Sequence, residues 1–443
     1  MTHSLVLKNA TIVSDYSTVE GDLAFAGERI SQVGGIAVGA LEYDVSGCWV
    51  LPGMIDDQVH FREPGMEHKA TIATESRAAI AGGVTSYMEM PNCVPPTINR
   101  ERLLAKHERA SQTSLANYGF YLGATNDNIE DIKNLNDSLA CGIKVFMGAS
   151  TGNMLVDNPR TLEEIFSHST VVIATHCEDT PTIIRNEAKV REQYGANPPP
   201  ELHATIRSDE ACFRSSSFAV SLAKKFGARL HVLHLTSALE LPLFDAGDIQ
   251  NKQITCEVCV HHLLFDVRSY DQKGTLVKCN PSVKTQNDRD ALRHALITDR
   301  IDIIATDHAP HTLAEKKLPF LDAPAGMPLV EFALCAALEN AITGDATIHQ
   351  IVAKTSHNPA LRFDVKERGF IREGYFADVV VVDPNQHTEV NSTPILSKCG
   401  WTPFSGMSFS SKVTHTFVNG ELLYRNGQFH SDQKGKAIEY IRT

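Results

Sequence analysis

Histidine, lysine and aspartate side chains recur in this chain at the ends of short apolar segments. Imidazole nitrogen and carboxylate oxygen are ligands that Zn²⁺ favours, so a set drawn from separate segments predicts a shared metal site. A lysine within the apolar segment 143–147 is unusual, because a buried ammonium must be paired, neutral or chemically changed. The residues concerned are His60, Lys144, His176, His234 and Asp307.

The first of these segments, residues 51–65, passes from apolar residues into polar ones before a Glu-Pro-Gly turn. Side chains alternate between the two faces of a strand, so Gln58, His60 and Arg62 are predicted to point the same way. One face of one strand end therefore carries an amide, an imidazole and a guanidinium. Asn92 follows the next apolar segment in the same manner.

The elements that position these residues alternate between strand and helix patterns. Strand-like segments follow the opening one, and helical patterns such as 70–81 and 208–226 lie between them. Eight strands separated by helices predict an α/β fold, a (β/α)8 TIM barrel whose strand ends converge on one mouth. The later strand segments are 84–90, 118–122, 143–147, 171–176, 230–235, 253–258 and 301–307.

Both chain ends have a different sequence pattern: short segments in which apolar and polar residues alternate, separated by glycine and polar turns. Neither end is predicted to bury enough apolar surface alone, so we expect one small β-sandwich domain built from residues 1–52 and 366–443. Residues 53–365 then form the catalytic barrel domain.

Composition excludes several classes of protein. The 443 residues carry a net charge of −12, which argues against a nucleic-acid partner or an anionic membrane surface. No apolar segment is long enough to span a bilayer and no signal peptide is recognisable. The ten cysteines are scattered, which favours a reduced, cytoplasmic protein, and Cys256 and Cys259 are interpreted as strand residues.

Residues 56–65, Asp-Asp-Gln-Val-His-Phe-Arg-Glu-Pro-Gly, resemble a known signature. It is the first-strand pattern Asp-x-His-Val-His-x-Arg-x-Pro-Gly of dihydroorotases in the cyclic amidohydrolase superfamily, with Gln58 at the position of the first histidine. Residues 305–311 resemble the second signature, and 90–92, 255–263 and 279–281 resemble further motifs. The resemblance spans nearly the whole chain. It implies reversible, zinc-dependent hydrolysis of dihydroorotate to N-carbamoyl-aspartate in pyrimidine biosynthesis.

The resemblance also implies roles for individual residues. One or two Zn²⁺ ions would be held by His60, Lys144, His176, His234 and Asp307, with Lys144 converted to N6-carboxylysine. Asp307 would be the catalytic acid and base. A glutamine carbonyl is a poorer zinc ligand than imidazole, so we expect the metal position beside Gln58 to be weaker or empty. The substrate would be bound by Arg62, Asn92, Asn280 and His311.

Two alternatives remain open at this point. Some relatives have lost metal ligands and act as non-catalytic partners of aspartate transcarbamoylase, and others, such as allantoinases and hydantoinases, hydrolyse different cyclic ureides. The otherwise complete site favours an enzyme with a small-molecule substrate, and Arg62 favours a substrate that carries a carboxylate. We expect a homodimer. An association with aspartate transcarbamoylase remains open. His308 is expected to be structural, and the loop 312–327 to be either a mobile cover or a static excursion.

Overall fold

The computed structural model describes residues 3–14, 17–135, 139–148, 154–390 and 394–442. Its central part consists of parallel strands, each buried on both faces as expected for a sheet covered by helices. These strands are β6 (Met54–Val59), β7 (Val84–Glu89), β8 (Asn117–Phe120), β9 (Leu122–Gly123), β10 (Ile143–Phe146), β11 (Ile173–His176), β12 (Leu230–Val232), β13 (Ile254–Cys259) and β14 (Ile303–Ala305).

The parallel strands form two hydrogen-bonded sets, β6-β7-β8 and β9 through β14 in chain order. Only Tyr121 separates β8 from β9, so the two sets are joined by a single stretch of chain. A parallel bridge between Val59 and His308 also links the end of β6 to the segment after β14. Every strand predicted for the middle of the chain is confirmed, whereas complete closure into a barrel stays a prediction.

Both ends of the chain contribute to one nine-stranded sheet, as the sequence predicted for a shared terminal unit. Its order is β20-β19-β18-β15-β5-β1-β2-β3, with β4 paired to β1. The strands are β1 (His3–Ser14), β2 (Ser17–Ala26), β3 (Arg29–Val33), β4 (Gly39–Asp44), β5 (Trp49–Pro52), β15 (Val379–Asp383), β18 (Lys412–Val418), β19 (Glu421–Arg425) and β20 (Gln428–Phe429). A separate pair comprises β16 (Thr388–Glu389) and β17 (Ser408–Phe409). The arrangement as a β-sandwich and the exact domain boundaries stay predictions.

Helices cover the parallel strands and begin at residues that cap them. The Thr71 side chain accepts the N–H of Thr74 at the start of α1, and α7 ends at Gly227 in the left-handed conformation. The helices are α1 (Ile72–Ala81), α2 (Arg100–Thr113), α3 (Ile129–Lys133), α4 (Pro159–His168), α5 (Thr180–Tyr194), α6 (His203–Ile206), α7 (Asp209–Phe226), α8 (Val260–Leu264), α9 (Ser269–Lys273), α10 (Gln286–Ile297), α11 (Leu313–Lys316), α12 (Ala333–Ile342), α13 (Ile348–Val352) and α14 (Asn358–Arg362).

Two further sequence expectations concern cysteines and membranes. All ten cysteines are unpaired, and Cys256 and Cys259 both lie in β13 as interpreted from the sequence. Among the helices that the structure describes, none has the length and hydrophobicity needed to cross a bilayer.

Candidate active site

A cavity of about 200 Å³ lies where the parallel strands end. All ten residues that the sequence singled out line it, although they come from segments spread between positions 58 and 311. Convergence of strand ends explains how such distant residues meet. The lining residues are Gln58, His60, Arg62, Asn92, Lys144, His176, His234, Asn280, Asp307 and His311, together with Phe146, Ala309 and residues 324–326.

One carboxylate oxygen of Asp307 is contacted by Gln58, in β6, and by His60, which directly follows that strand. His60 Nε2 lies 3.1 Å from Asp307 Oδ1, and the Gln58 amide donates to the same oxygen at 3.3 Å. The other nitrogen of His60, Nδ1, lies 2.7 Å from Asn92 Oδ1. The Gln58 carbonyl is directed toward Cys259 Sγ at 3.8 Å. In this orientation Gln58 presents an N–H group, not a ligand oxygen, to Asp307.

His176 and His234 face each other on the opposite side of the cavity. His176 Nδ1 and His234 Nε2 are 3.0 Å apart, while His176 Nε2 contacts Glu178 Oε2 at 2.9 Å. Burial lowers the pKa of both imidazoles, so both rings are neutral near pH 7. With its Nε2–H donated to Glu178, His176 presents a bare Nδ1 beside His234.

This pair of converging nitrogens fits a metal ion. The converging atoms are His176 Nδ1 and His234 Nε2, and the His176 ring is oriented through its other nitrogen by the Glu178 carboxylate. A bare imidazole nitrogen whose ring is oriented by a carboxylate on its other nitrogen is the usual form of a zinc-binding histidine. Asp307 and His60 supply further nitrogen and oxygen donors to the same cavity.

Lys144 is almost completely buried on β10, as its apolar flanks predicted. Its Nζ lies 4.6 Å from the centroid of the Phe146 ring. Burial lowers the lysine pKa to about 8, although Asp307 and Glu257 act in the opposite direction. A lowered pKa increases the fraction of neutral amine, which is the form that adds carbon dioxide.

A cationic group occupies another wall of the cavity. Arg62 donates through Nε to the Pro310 carbonyl at 3.0 Å, and its Nη2 lies 3.0 Å from His311 Nε2. Lys69 Nζ lies 3.0 Å from His311 Nδ1. Burial, followed by Arg62 and Lys69, lowers the pKa of His311 far below its ordinary value, so the ring is neutral. This wall suits an anion, and a guanidinium matches a carboxylate in particular.

Asn280 lies beside these residues and is oriented by His203. The His203 Nε2 atom is 3.1 Å from Asn280 Oδ1 and 2.9 Å from the Cys279 carbonyl. Since one side of the Asn280 amide is engaged by His203, its position in the cavity is fixed before any ligand arrives.

Three cavity residues have a backbone conformation that L-amino acids seldom adopt. Arg62, His234 and Asp307 have φ values of 68°, 41° and 50°. Strained backbone of this kind concentrates at functional sites, where the surrounding structure stabilises it. Its presence at three residues with proposed roles supports a functional cavity.

Sequence reasoning missed several residues that support this site. Glu178 follows His176 by two positions, so a carboxylate at a strand end was the available signal. Lys69 and His203 lie outside the strand ends, and nothing in their local sequence distinguishes them. His308 behaves as expected of a structural residue, because it is buried and its Nε2 contacts Glu75 at 2.8 Å.

Comparison with known proteins identifies the fold and the family. The solved L-hydantoinase (dihydropyrimidinase) from Arthrobacter aurescens superposes with a TM-score of 0.92 over 99% of this chain and 100% of that chain, at 23% identity. A dihydroorotase of Halobacterium salinarum is 37% identical over 389 residues, covering 87% of this chain and 89% of the relative. An allantoinase of Bacillus velezensis is 29% identical, covering 96% and 95%.

The structural neighbour shows a TIM-barrel superfamily fold with a mostly β terminal unit. The family match and the dihydroorotase relative define the protein as a hydrolase of cyclic amides. The sequence model of the amidohydrolase family matches residues 49–423. The chain belongs to the amidohydrolase family.

Proposed function

We propose that this protein is a dihydroorotase, which reversibly hydrolyses (S)-dihydroorotate to N-carbamoyl-L-aspartate. The observation that carries the proposal is the contact between Arg62 and His311 in the same cavity as the histidine, lysine and aspartate set. Dihydroorotate combines a cyclic amide with a free carboxylate, so it needs both parts of the cavity. The identity of 37% to a dihydroorotase over most of the chain supports the same assignment.

The residues that would hold Zn²⁺ are His176 and His234 together with Lys144 as N6-carboxylysine, and, for a second ion, His60 and Asp307 with Lys144. Zinc bound there would acidify water at neutral pH and polarise the scissile carbonyl. Carboxylation would also replace the buried amine of Lys144 by an anionic oxygen ligand, whose charge the bound metal would compensate.

Asp307 is the proposed general base and acid. It would accept the proton of the attacking water and deliver it to the leaving ring nitrogen, and in the reverse direction it would deprotonate the ureido nitrogen. Its hydrogen bonds to His60 and Gln58 fix the carboxylate in the cavity. Arg62, Asn92 and His311 would bind the substrate carboxylate, with Asn280 beside the ring.

Gln58 has a different role in this proposal from that of an imidazole ligand. Its amide donates to Asp307, and Cys259 engages its carbonyl. Gln58 would therefore orient the general base, while the metal position that it borders binds its ion more weakly. A single zinc with an open coordination position is sufficient for hydrolysis.

Hydrolysis of a different cyclic ureide is the second candidate function. The 29% identity to an allantoinase over nearly the whole chain favours it. Allantoin and hydantoins lack the carboxylate that Arg62 and His311 would bind. This candidate therefore does not explain the cationic wall of the cavity. We rank it second for that reason.

The wider setting follows from the proposed reaction. We propose a place in pyrimidine biosynthesis in the cytoplasm and a homodimer, with association with aspartate transcarbamoylase as a further partner. We also propose that the parallel strands close into a (β/α)8 barrel spanning 53–365, with 1–52 and 366–443 as the terminal β-sandwich domain. The bridge between Val59 and His308 supports closure.

Substituting Arg62 tests the carboxylate assignment. Arg62→Met should lower kcat/KM for dihydroorotate by at least about 1000-fold, because the guanidinium contact is removed while the methionine retains similar bulk. Arg62→Lys is the matched control, since it keeps the charge but loses the fork, and an intermediate loss is expected. Both are measured by the absorbance of the dihydroorotate ring. Undiminished turnover by Arg62→Met would refute the carboxylate assignment.

A further inference from the structure

Lys69 contacts the anion-binding wall from behind, at a position that neither the family signatures nor the strand ends include. It lies on the turn that follows Arg62, where the Lys69 backbone N–H donates to the Met66 carbonyl. Its Nζ lies 2.8 Å from Glu315 Oε1 and 3.0 Å from His311 Nδ1, and its side chain is 12% exposed. Lys69 therefore joins α11 to the back of the His311 ring.

The neighbours of His311 restrict where its proton resides. A neutral imidazole has one N–H and one bare nitrogen, whereas lysine and arginine side chains only donate. Nδ1 lies 3.0 Å from Lys69 Nζ and 4.0 Å from Glu315 Oε2, whereas Nε2 lies 3.1 Å from the Ala325 carbonyl and 3.0 Å from Arg62 Nη2. Within hydrogen-bond distance, two donors and one acceptor thus surround the ring.

The two tautomers satisfy these neighbours unequally. With the proton on Nε2, the bare Nδ1 accepts from Lys69 and the Nε2–H donates to Ala325, so only the contact with Arg62 is unfavourable. With the proton on Nδ1, the ring accepts from Arg62, but it opposes Lys69 with an N–H and gives Ala325 no donor. The first tautomer satisfies two of the three contacts and the second only one.

We infer that Lys69 is a positioning and specificity-determining residue that holds His311 in the Nε2–H tautomer. The Nε2–H donates to the Ala325 carbonyl in the free protein, and a substrate carboxylate beside Arg62 would share that N–H or accept it in place of Ala325. Two N–H groups 3.0 Å apart repel each other until an anion accepts from both. A carboxylate has two oxygens that accept in this geometry. The inference deepens the proposed function, and its consequence for catalysis rests on it.

The tautomer can be observed directly, without turnover. Two-bond proton–nitrogen correlation spectra of the full-length protein labelled with ¹⁵N-histidine distinguish a bare imidazole nitrogen from a protonated one. The signals of His311 are assigned by their loss in His311→Gln. We expect bare Nδ1 and protonated Nε2 in the wild type, and a mixed or reversed state in Lys69→Met. Protonated Nδ1 in the wild type, or an unchanged His311 in Lys69→Met, would overturn the inference.

Two further variants distinguish an effect of Lys69 on His311 from a general loss of structure. Lys69→Arg retains an N–H donor and is expected to keep the wild-type tautomer. Lys317→Met removes an exposed lysine next to α11 and should change neither the spectrum nor the kinetics. If Lys69→Met fails to fold, the wild-type and Lys69→Arg spectra still decide the tautomer.

Catalysis provides the second readout. Lys69→Met should raise KM for dihydroorotate about tenfold and change kcat less than about threefold, because carboxylate binding is weakened before the chemical step. In a His311→Gln background the same substitution should change KM less than about twofold, since Lys69 acts through His311. Additive effects would refute that coupling. A wild type with the expected tautomer but no turnover would refute the proposed reaction and leave the tautomer assignment standing.

Discussion

At the residue scale, Glu178 determines how His176 is presented to the cavity. It is fully buried, contacts His176 Nε2 and forms an ion pair with Arg207. Burial alone would raise its pKa, but Arg207 and His176 outweigh burial and bring the pKa down to about 2. The ionised carboxylate is therefore the form that the folded protein stabilises.

This shift predicts how stability depends on pH. The pKa of Glu178 is lower in the folded chain than the ordinary value of 4.5. The ionised carboxylate therefore contributes fully to the free energy of unfolding above pH 4.5, and this contribution is lost as the pH falls toward 2. The free energy of unfolding of wild type minus that of Glu178→Gln should shrink by about 1 kcal/mol between pH 5 and pH 3.5. Urea denaturation after chelator treatment measures it without a metal contribution.

The matched control is Glu187→Gln, which removes a partly exposed carboxylate paired with Arg191 on α5. An exposed ion pair contributes little to stability. The free energy of unfolding of Glu187→Gln should therefore stay within about 0.5 kcal/mol of the wild-type value across the same pH range. A wild-type advantage over Glu178→Gln that grows toward low pH would contradict the ion-pair account.

Individual residues also show which parts of the site can be predicted from the sequence. His60, His176, His234 and Asp307 were predictable, because polar groups at the ends of apolar strands stand out and parallel strand ends converge. Lys69 was not, since its partner His311 is distant in sequence and the contact depends on how a turn and α11 pack. The orientation of the Gln58 amide likewise depends on Asp307 and Cys259, which only the folded chain brings near it.

At the scale of elements, the Lys316 side chain fixes the loop after β14, whose residues 324–326 line the cavity. Lys316 Nζ donates to the carbonyls of Lys278, Pro324 and Gly326 at 3.2, 2.9 and 3.0 Å. These contacts tie the loop to the segment before Asn280. They favour a static loop over a mobile cover, the two alternatives that the sequence left open.

Gly326 is the position where this loop tolerates no side chain. Its φ is +139°, and an added Cβ would lie 2.5 Å from the Ala309 carbonyl oxygen. Gly326→Ala should therefore displace residues 324–326 and lower kcat/KM for dihydroorotate by at least about tenfold. Steady-state kinetics measure the effect.

Gly344→Ala is the control, because Gly344 also has a positive φ, +88°, but nothing lies within 4 Å of an added Cβ. It should cost about 1 kcal/mol of stability and leave the kinetics unchanged. Equal kinetics for Gly326→Ala and wild type would show that the loop is not a close cover.

At the scale of the whole molecule, the terminal sheet and the parallel strands are connected through β5 and β6. β5 pairs with β1 and β15 in the terminal sheet, and only Gly53 separates it from β6, which carries Gln58. The sequence predicted that the two chain ends meet, because each end lacks sufficient apolar surface alone. The pairing order within the sheet was not predictable, since strands of similar composition can pair in several ways.

The central claim is that this cavity catalyses dihydroorotate hydrolysis despite glutamine at position 58. The most direct test measures dihydroorotate hydrolysis and carbamoyl-aspartate cyclisation by the purified protein, with metal counted per chain in the same preparation. We predict turnover in both directions with one to two zinc ions per chain, and its loss on chelation with recovery on adding zinc and bicarbonate. No turnover in either direction with zinc and bicarbonate supplied would contradict the account and favour a non-catalytic partner of aspartate transcarbamoylase.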